Sequence, residues 1–168
     1  MYPKSRGSGQ PYFSRNIWVA DSLPSTWLNA SPKAVYINLV RKQYYFRPSG
    51  EGLLAWDVDR LIELSSDFQR KQVPLTQIRE LDEAYWFGGE GGRPTCRAVA
   101  EHARLIQETD LSYPIILSAE GRVMDGMHRV AKAYINRHDR IAAVQFDVTP
   151  EPDYVGVEAD ELPYDDAA

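Results

Sequence analysis

Apolar residues in the first half of the chain recur with the periods of strands and of one short helix. Residues 34–47 are rich in Val, Ile and Tyr and predict one long strand or a hairpin. The sequence PSGEG interrupts this pattern, after which Asp57 is suited to cap a helix over residues 57–67. The stripe of this helix that faces the core would be Val58, Leu61, Ile62 and Ser65. Residues 73–79 come close to alternation and predict a further strand.

The second half of the chain has two helical patterns on either side of a hairpin. The glycine-rich loop at 87–94 precedes a helix that begins at Pro94 and Thr95. The apolar face of this helix would be Cys96, Val99, Ala100, Ala103 and Ile106. Residues 114–118 and 122–124 predict the two strands of a hairpin.

A second helix, beginning at Met127, and a strand over 141–148 complete the pattern. The stripe of this helix would be Met127, Val130, Ala131, Tyr134 and Ile135. The order strand, loop, helix, hairpin, helix, strand predicts an α+β fold, a small mixed sheet with helices, over residues 73–148.

Three further segments surround this predicted domain. Residues 34–72 would form a strand-and-helix extension that packs on it, and residues 149–168 an extended or disordered acidic tail. Part of the tail, residues 154–157, is apolar enough to attach to the body. Residues 1–33 are rich in Gly, Pro and Ser and predict an irregular arm. Its aromatic residues suggest that parts of it dock on the body: Tyr12, Phe13, Trp18 and Trp27.

The charge distribution argues against a duplex-binding protein. The chain of 168 residues has a net charge of -5, with 24 acidic and 19 basic residues. Seven of the acids and none of the bases lie in residues 149–168, so the rest of the chain is close to neutral. A DNA-binding domain usually has a concentrated basic face, and no Lys/Arg run here is long enough to form one. Specific DNA binding is therefore not expected.

Other features favour a cytoplasmic protein without a membrane partner. No apolar run approaches the roughly 18 residues that a membrane span needs, and the N-terminus lacks the apolar core of a secretory signal. The single cysteine, Cys96, rules out an internal disulfide framework and a cysteine-rich zinc site. Its presence as a free thiol is typical of a reducing compartment.

Residues 125–129, Asp-Gly-Met-His-Arg, lie where a predicted strand ends and a helix begins. The first N–H groups of a helix have no internal partners and favour an anion, which Gly126 would allow to approach closely. His128 and Arg129 add donors, and Asp125 is suited to hold Mg²⁺ or to accept a proton. Local pattern alone favours the simpler alternative, in which Asp125 is an N-cap and the first turn is solvated.

The segment DGMHRVAKA, together with VPLTQIRELDE and the helix–hairpin–helix order between them, resembles the ParB/sulfiredoxin superfamily over about residues 73–146. The matching motif is Gly-Glu-Arg-Arg in partition ParB proteins, Gly-Cys-His-Arg in sulfiredoxins and Asp-Gly-His-His-Arg in the free serine kinases. This chain is most similar to the kinase form. It matches at Asp125, Gly126, His128 and Arg129, and Met127 replaces one His.

The resemblance implies a nucleoside triphosphate or diphosphate (ATP, ADP or CTP) with Mg²⁺ as the cofactor. Its phosphates would bind at Gly126, Met127, His128 and Arg129, with Asp125 at the reacting phosphoryl group or its metal. No protein-only metal site is expected, because the three His residues lack zinc-like spacing. Met127 takes the place of the sulfiredoxin cysteine, which excludes that reduction route. Too little chain follows residue 146 for a ParB-type helix-turn-helix.

Acidic residues near the glycine-rich loop are candidates for a catalytic base. By analogy with the serine kinases, Glu83 is the first candidate and Glu80 the second, with Asp82 and Glu90 nearby. Acids that follow a strand are more often solvated. Three hypotheses therefore remain. The first is a nucleotide-dependent enzyme, either a small-molecule phosphotransferase or an NTPase. The others are a non-catalytic nucleotide-sensing module and a ParB-like nucleic-acid-associated protein.

Overall fold

The computed structural model describes residues 42–87 and 93–164, which form two small sheets and three α-helices. The strands are β1 (Tyr44–Ser49), β2 (Gly52–Asp57), β3 (Lys71–Pro74), β4 (Ile115–Leu117), β5 (Val123–Asp125), β6 (Arg140–Gln145) and β7 (Tyr154–Val155). The helices are α1 (Val58–Leu64), α2 (Cys96–Glu108) and α3 (Met127–Ile135). Short 3₁₀ helices occupy Leu75–Gln77, Arg79–Asp82 and Ala159–Glu161. The fold is therefore α+β, as the sequence predicts.

The larger sheet has the strand order β3-β6-β4-β5 and is mixed. Strand β6 runs antiparallel to β3 and parallel to β4, while β4 and β5 form the predicted antiparallel hairpin. The smaller sheet has the order β1-β2-β7 and is antiparallel throughout. The larger sheet ends at β5, which places the start of α3 at its edge.

Both faces of the larger sheet are buried. Successive residues of a strand point to opposite faces, so the consecutive buried residues of β4 face two different cores. Ile115 and Leu117 belong to a core shared with Met127 and Val130 of α3. Ile116, between them, belongs to a second core. That second core is completed by the smaller sheet and α1, through Tyr45, Trp56 and Leu61. A continuous apolar strand, rather than an alternating one, is what a sheet buried on both faces requires.

Local capping explains why α1 begins where the sequence predicts. The Asp57 carboxylate accepts a hydrogen bond from the Asp59 N–H at 3.0 Å, as an N-cap residue does. Of the predicted stripe, Val58, Leu61 and Ser65 are buried, whereas Ile62 is half exposed. Strand β2, which precedes α1, was not predicted, because the sequence PSGEG was interpreted as an interruption between the first strand and the helix capped by Asp57.

Two predictions about individual elements are wrong. The strand expected over residues 73–79 begins earlier, at Lys71, and ends at Pro74, beyond which the chain forms two 3₁₀ turns. Leu75 and Ile78, three residues apart, are both buried by these turns rather than by a strand. Their apolar spacing fits either conformation, so the pattern did not distinguish them.

The predicted face of α2 is also wrong. Cys96, Val99, Ala100 and Ala103 are exposed, and the side that packs inward consists of Ala98, the half-buried His102 and Leu105. Helix α3 follows its prediction at Met127 and Val130. It buries Ala133, which was not predicted, and not the last two residues of the predicted stripe. Tyr134 and Ile135 are instead 65% and 64% exposed.

The C-terminal segment is attached to the smaller sheet. Strand β7 pairs with β2, and the indole N–H of Trp56 donates to the Pro150 carbonyl at 2.7 Å. Ala159 and Leu162 are buried, so the attachment extends beyond β7. The expected N-terminal arm, residues 34–41 of the expected strand or hairpin, Glu90 and the last four residues lie outside the described residues. No helix within 42–87 and 93–164 is both long and apolar enough to cross a membrane.

We expect Leu117→Ala to lower the free energy of unfolding by about 2–5 kcal/mol, because it leaves a cavity in the core between the sheet and α3. Leu117 is only 2% exposed. The matched control is Leu64→Ala at the exposed end of α1, which should change stability by less than about 0.5 kcal/mol. Urea unfolding measures both, and equal losses would contradict this assignment of the core.

Candidate functional site

The junction between β5 and α3 requires glycine for two independent reasons. Gly126 has φ +99°, a left-handed conformation that other residues rarely adopt. A Cβ at this position would also lie 2.8 Å from Ile115 Cγ2 and 2.8 Å from Arg129 Nη2. Gly126 is itself the N-cap of α3 and makes no side-chain capping bond, so the alternative in which Asp125 caps the helix is wrong. The space that a side chain at residue 126 would fill is occupied by Ile115 and by the Arg129 guanidinium.

Arg129 reaches back over this glycine to Asp125. Its Nη2 donates to Asp125 Oδ2 at 2.5 Å, and both side chains are mostly buried, with 17% and 22% exposure. Its Nε is buried and has no hydrogen-bond partner among the described residues. A guanidinium has five donors, so this ion pair leaves donor capacity beside the helix start.

His128 points toward α2 and pairs with a second histidine. Its Nε2 lies 3.0 Å from His102 Nδ1, and the indole of Trp86 stacks on both imidazoles. The ring centroids of Trp86 lie 4.9 Å from His128 and 4.4 Å from His102. The three rings therefore connect α2, α3 and the segment that precedes the glycine-rich loop.

Burial keeps both imidazoles neutral. It lowers the pKa of His128 to about 4, helped by His102 and Arg129 and opposed by the negative charge of Asp125. Burial likewise lowers the pKa of His102, against the smaller raising effect of Glu101. At neutral pH, His128 is consequently a neutral hydrogen-bonding group, and the positive charge at the helix start comes from Arg129.

Glu83 and Glu80 are both held by Arg122, the residue before β5. Arg122 donates to both carboxylate oxygens of Glu83, at 2.6 and 2.5 Å, and its Nε forms an ion pair with Glu80, 2.9 Å from Oε1. The bonds to Arg122 lower the pKa of Glu83. A carboxylate with lowered proton affinity is a weaker base, so this pairing must loosen before Glu83 can take a proton efficiently.

Glu80 lies beneath this pair and is almost completely buried. Its Oε1 also accepts from the Val123 N–H at 2.9 Å, which ties the 3₁₀ turn to β5. Its Oε2 has no hydrogen-bond partner among the described residues. Such an atom is uncommon in a folded protein.

The charges of Asp125 and Glu80 both act on the phenol of Tyr85. Burial is the largest cause of the raised pKa of this phenol, followed by Tyr45 and then by the charges of Asp125 and Glu80. Arg122 lowers the pKa by a smaller amount. The phenol is therefore protonated at neutral pH. Tyr85 also packs against the core under α3, together with Trp86.

A groove of about 810 Å³ lies between residues 74–87 and one side of α3. Met127 is the one residue of the 125–129 motif that lines it. Asp125, His128 and Arg129 instead lie around the start of α3, outside the groove lining. The structure thus brings Asp125, Gly126 and Arg129 together and leaves Glu83 on a separate ion-pair network.

Three residues of this region were missed or given another role by the sequence analysis. They are His102 and Trp86, which were not among the candidate residues, and Arg122, which was predicted only as the start of a strand. The spacing Ala98, His102, Leu105 follows a helical face and is the signal that places His102 inward. Nothing local pairs Arg122 with Glu83, 39 positions away.

The described residues contain no group of three or more His, Cys, Asp or Glu side chains arranged to hold a metal ion. Cys96 is a free and exposed thiol at the start of α2. Comparison with protein-family models, with curated proteins and with solved structures gave no match to this chain.

We expect the two buried imidazoles to make stability fall as the solution is acidified. The folded-state pKa of His128 is about 4, below its ordinary value of 6.5, so the unfolded chain binds the proton first. The stabilising effect of a neutral His128 is fully present above pH 6.5 and is lost as the pH falls toward 4, by at most about 1.4 kcal/mol per pH unit.

Urea unfolding at several pH values between 7 and 4 tests this expectation. His128→Gln should reduce the loss of stability on acidification, whereas His138→Gln, at an exposed position, should behave like the parent. An unchanged pH dependence in His128→Gln would show that this imidazole is not held neutral by burial.

Proposed function

We propose that this chain is a nucleotide-binding protein of the ParB/sulfiredoxin type. In this proposal, Gly126 and Arg129, with the backbone N–H groups of Met127 and His128, hold the phosphates of a nucleoside triphosphate or diphosphate at the start of α3. Asp125 faces the reacting phosphoryl group or a Mg²⁺ ion that arrives with the nucleotide. The cytoplasm, where nucleotides and free thiols coexist, is the proposed location.

The single observation that carries the proposal is the arrangement of Arg129 over Gly126. The guanidinium lies over the glycine at the start of the helix, and its buried Nε has no partner among the described residues. Backbone N–H groups and a guanidinium together are a recurrent way to bind phosphate. Phosphate is a stronger bidentate partner for arginine than a single carboxylate oxygen, so binding would release Asp125.

The release of Asp125 gives it a use in phosphoryl transfer. Paired with Arg129, its charge is largely neutralised. Once Arg129 turns to a phosphate, Asp125 is left as a carboxylate next to it, where Mg²⁺ would be favoured. A kinase-like or NTPase reaction also requires a group that orients the acceptor or water, and Glu83 is the proposed candidate.

A second candidate function is a nucleotide-sensing module without catalysis. The observation that favours it is the bidentate pair between Glu83 and Arg122, which occupies both carboxylate oxygens of the proposed base. In this alternative the nucleotide exchanges the partners of Arg129 and leaves Glu83 in place. The two candidates share the phosphate site and differ in whether turnover occurs.

The first test measures nucleotide binding as thermal stabilisation. At ten times its dissociation constant, ATP, ADP or CTP with Mg²⁺ should stabilise the parent by about 1.4 kcal/mol, which corresponds to a rise in Tm of about 3–6 °C. Arg129→Ala should abolish the rise, and Arg129→Gln should reduce it. Arg104→Ala is the matched control, because Arg104 forms only an exposed ion pair on α2. Absence of any rise in the parent would overturn the phosphate site.

The second test separates the two candidate functions. If the protein is a phosphotransferase or NTPase, release of phosphate or nucleoside diphosphate should fall about 10²–10⁴-fold in Glu83→Gln, as expected for loss of a general base. Asp125→Asn should also lose turnover, because the amide binds Mg²⁺ less well than the carboxylate. Glu101→Gln on α2 is the control and should retain full turnover.

The acceptors for this assay are alcohols and hydroxyl-bearing amino acids, with water alone for NTPase activity. Unchanged turnover in both variants would contradict the two assigned roles. Nucleotide binding without turnover on any acceptor would instead favour the sensing module.

A further inference from the structure

The groove between residues 74–87 and α3 has the size and the walls of a small-molecule site. Its volume of about 810 Å³ lies in the range of roughly 300–1,000 Å³ that such sites occupy. One wall carries the consecutive aromatic residues Tyr85, Trp86 and Phe87, and the other carries Met127 and Tyr134 of α3. The walls are therefore mostly apolar and aromatic.

The polar groups that line this groove are predominantly acidic. Four carboxylates contribute to the lining, together with one guanidinium, that of Arg140, and the imidazole of His138. The Arg140 guanidinium donates to the Gln72 carbonyl at 3.3 Å, which directs it toward β3. Asp82 and Asp139 are exposed and have no ion-pair partner among the described residues.

A buried carboxyl group also contributes to the lining of the groove. Glu80 contributes to the lining, is only 2% exposed, and leaves its Oε2 without a partner among the described residues. Glu80 and Glu83 both form ion pairs with the guanidinium of Arg122. Arg122, and Arg79 near Glu83, offset these two carboxylates, so the lining acids without an ion-pair partner among the described residues are Asp82 and Asp139.

We propose that this groove binds a small organic cation, an amine with an aromatic or aliphatic body. The apolar body packs against Trp86 and Tyr134, and the ammonium group lies toward Asp82 and Asp139. The same charges disfavour an anion in the groove, so its ligand differs in class from the nucleotide proposed for the start of α3. The inference does not depend on that nucleotide, because only Met127 and Glu83 of the residues proposed for the nucleotide reaction line the groove, and the ammonium group is placed at Asp82 and Asp139 instead.

The test uses three probes of similar shape and different charge on the full chain without nucleotide. These are 2-phenylethylamine, which is cationic, 2-phenylethanol, which is neutral, and 3-phenylpropionate, which is anionic. Titrations followed by ¹H–¹⁵N NMR should give an affinity for the amine about tenfold higher than for the alcohol, and weaker still for the carboxylate. The resonances that shift should include Trp86 and residues of α3, and added salt should weaken the amine.

Exposed acids supply variants that leave the fold intact. Asp82→Asn and Asp139→Asn should each weaken the amine about twofold to fivefold and leave the alcohol unchanged. Asp160→Asn is the matched control, an exposed acid in the C-terminal 3₁₀ helix that does not line the groove. Arg129→Ala should retain full amine binding, which keeps this result separate from the test of the phosphate site.

Three outcomes would overturn the proposal. The amine and the alcohol could bind equally, which would leave no role for the carboxylates. The amine could bind with shifts only outside the groove, or fail to bind at all, as it would if a protein segment already covered the groove. Failure of the amine leaves the nucleotide proposal intact, and failure of the nucleotide leaves the amine proposal intact.

Discussion

The burial of both faces of strand β4 is the constraint on which the rest of the structure depends. Three successive apolar residues cannot all face one core, so Ile115 and Leu117 face α3 while Ile116 faces the smaller sheet. This short strand therefore fixes two cores at once. The hairpin partner β5 ends at Asp125, and the position of α3 follows from it. A shift of one residue in β4 would exchange the two faces and separate Gly126 from Ile115.

The site occupies the edge of this sheet because an edge strand leaves space beyond its end. Asp125 and Arg129 close over the start of α3 on one side, while His128 turns under Trp86 on the other. The groove begins past Met127, and four carboxylates contribute to its lining. One helix of nine residues thus separates the Asp125–Arg129 ion pair from a groove with a mostly acidic polar lining.

Local signals in the sequence predicted the elements well, and long-range contacts decided the rest. The cap at Asp57 and the buried face through Met127 and Val130 depend on neighbours in sequence, and both were predicted correctly. The predicted buried face of α2 was wrong because apolar residues occur on two sides of this helix. Packing against α3 selects the side that contains His102. The Arg122 pair with Glu83 joins residues 39 positions apart, and no local pattern encodes such a pair.

The glycine at residue 126 has a consequence for how this sequence can change. A substitution that shortens Ile115 would remove one of the two close contacts of a Cβ, yet the left-handed backbone would still disfavour the new side chain. A residue that tolerates that backbone, such as Asn, would still collide with Ile115 and with the Arg129 guanidinium. No single second-site change relieves both penalties, so position 126 is closed to stepwise substitution. The helix start can drift only as a unit, with Ile115, Gly126 and Arg129 changing together.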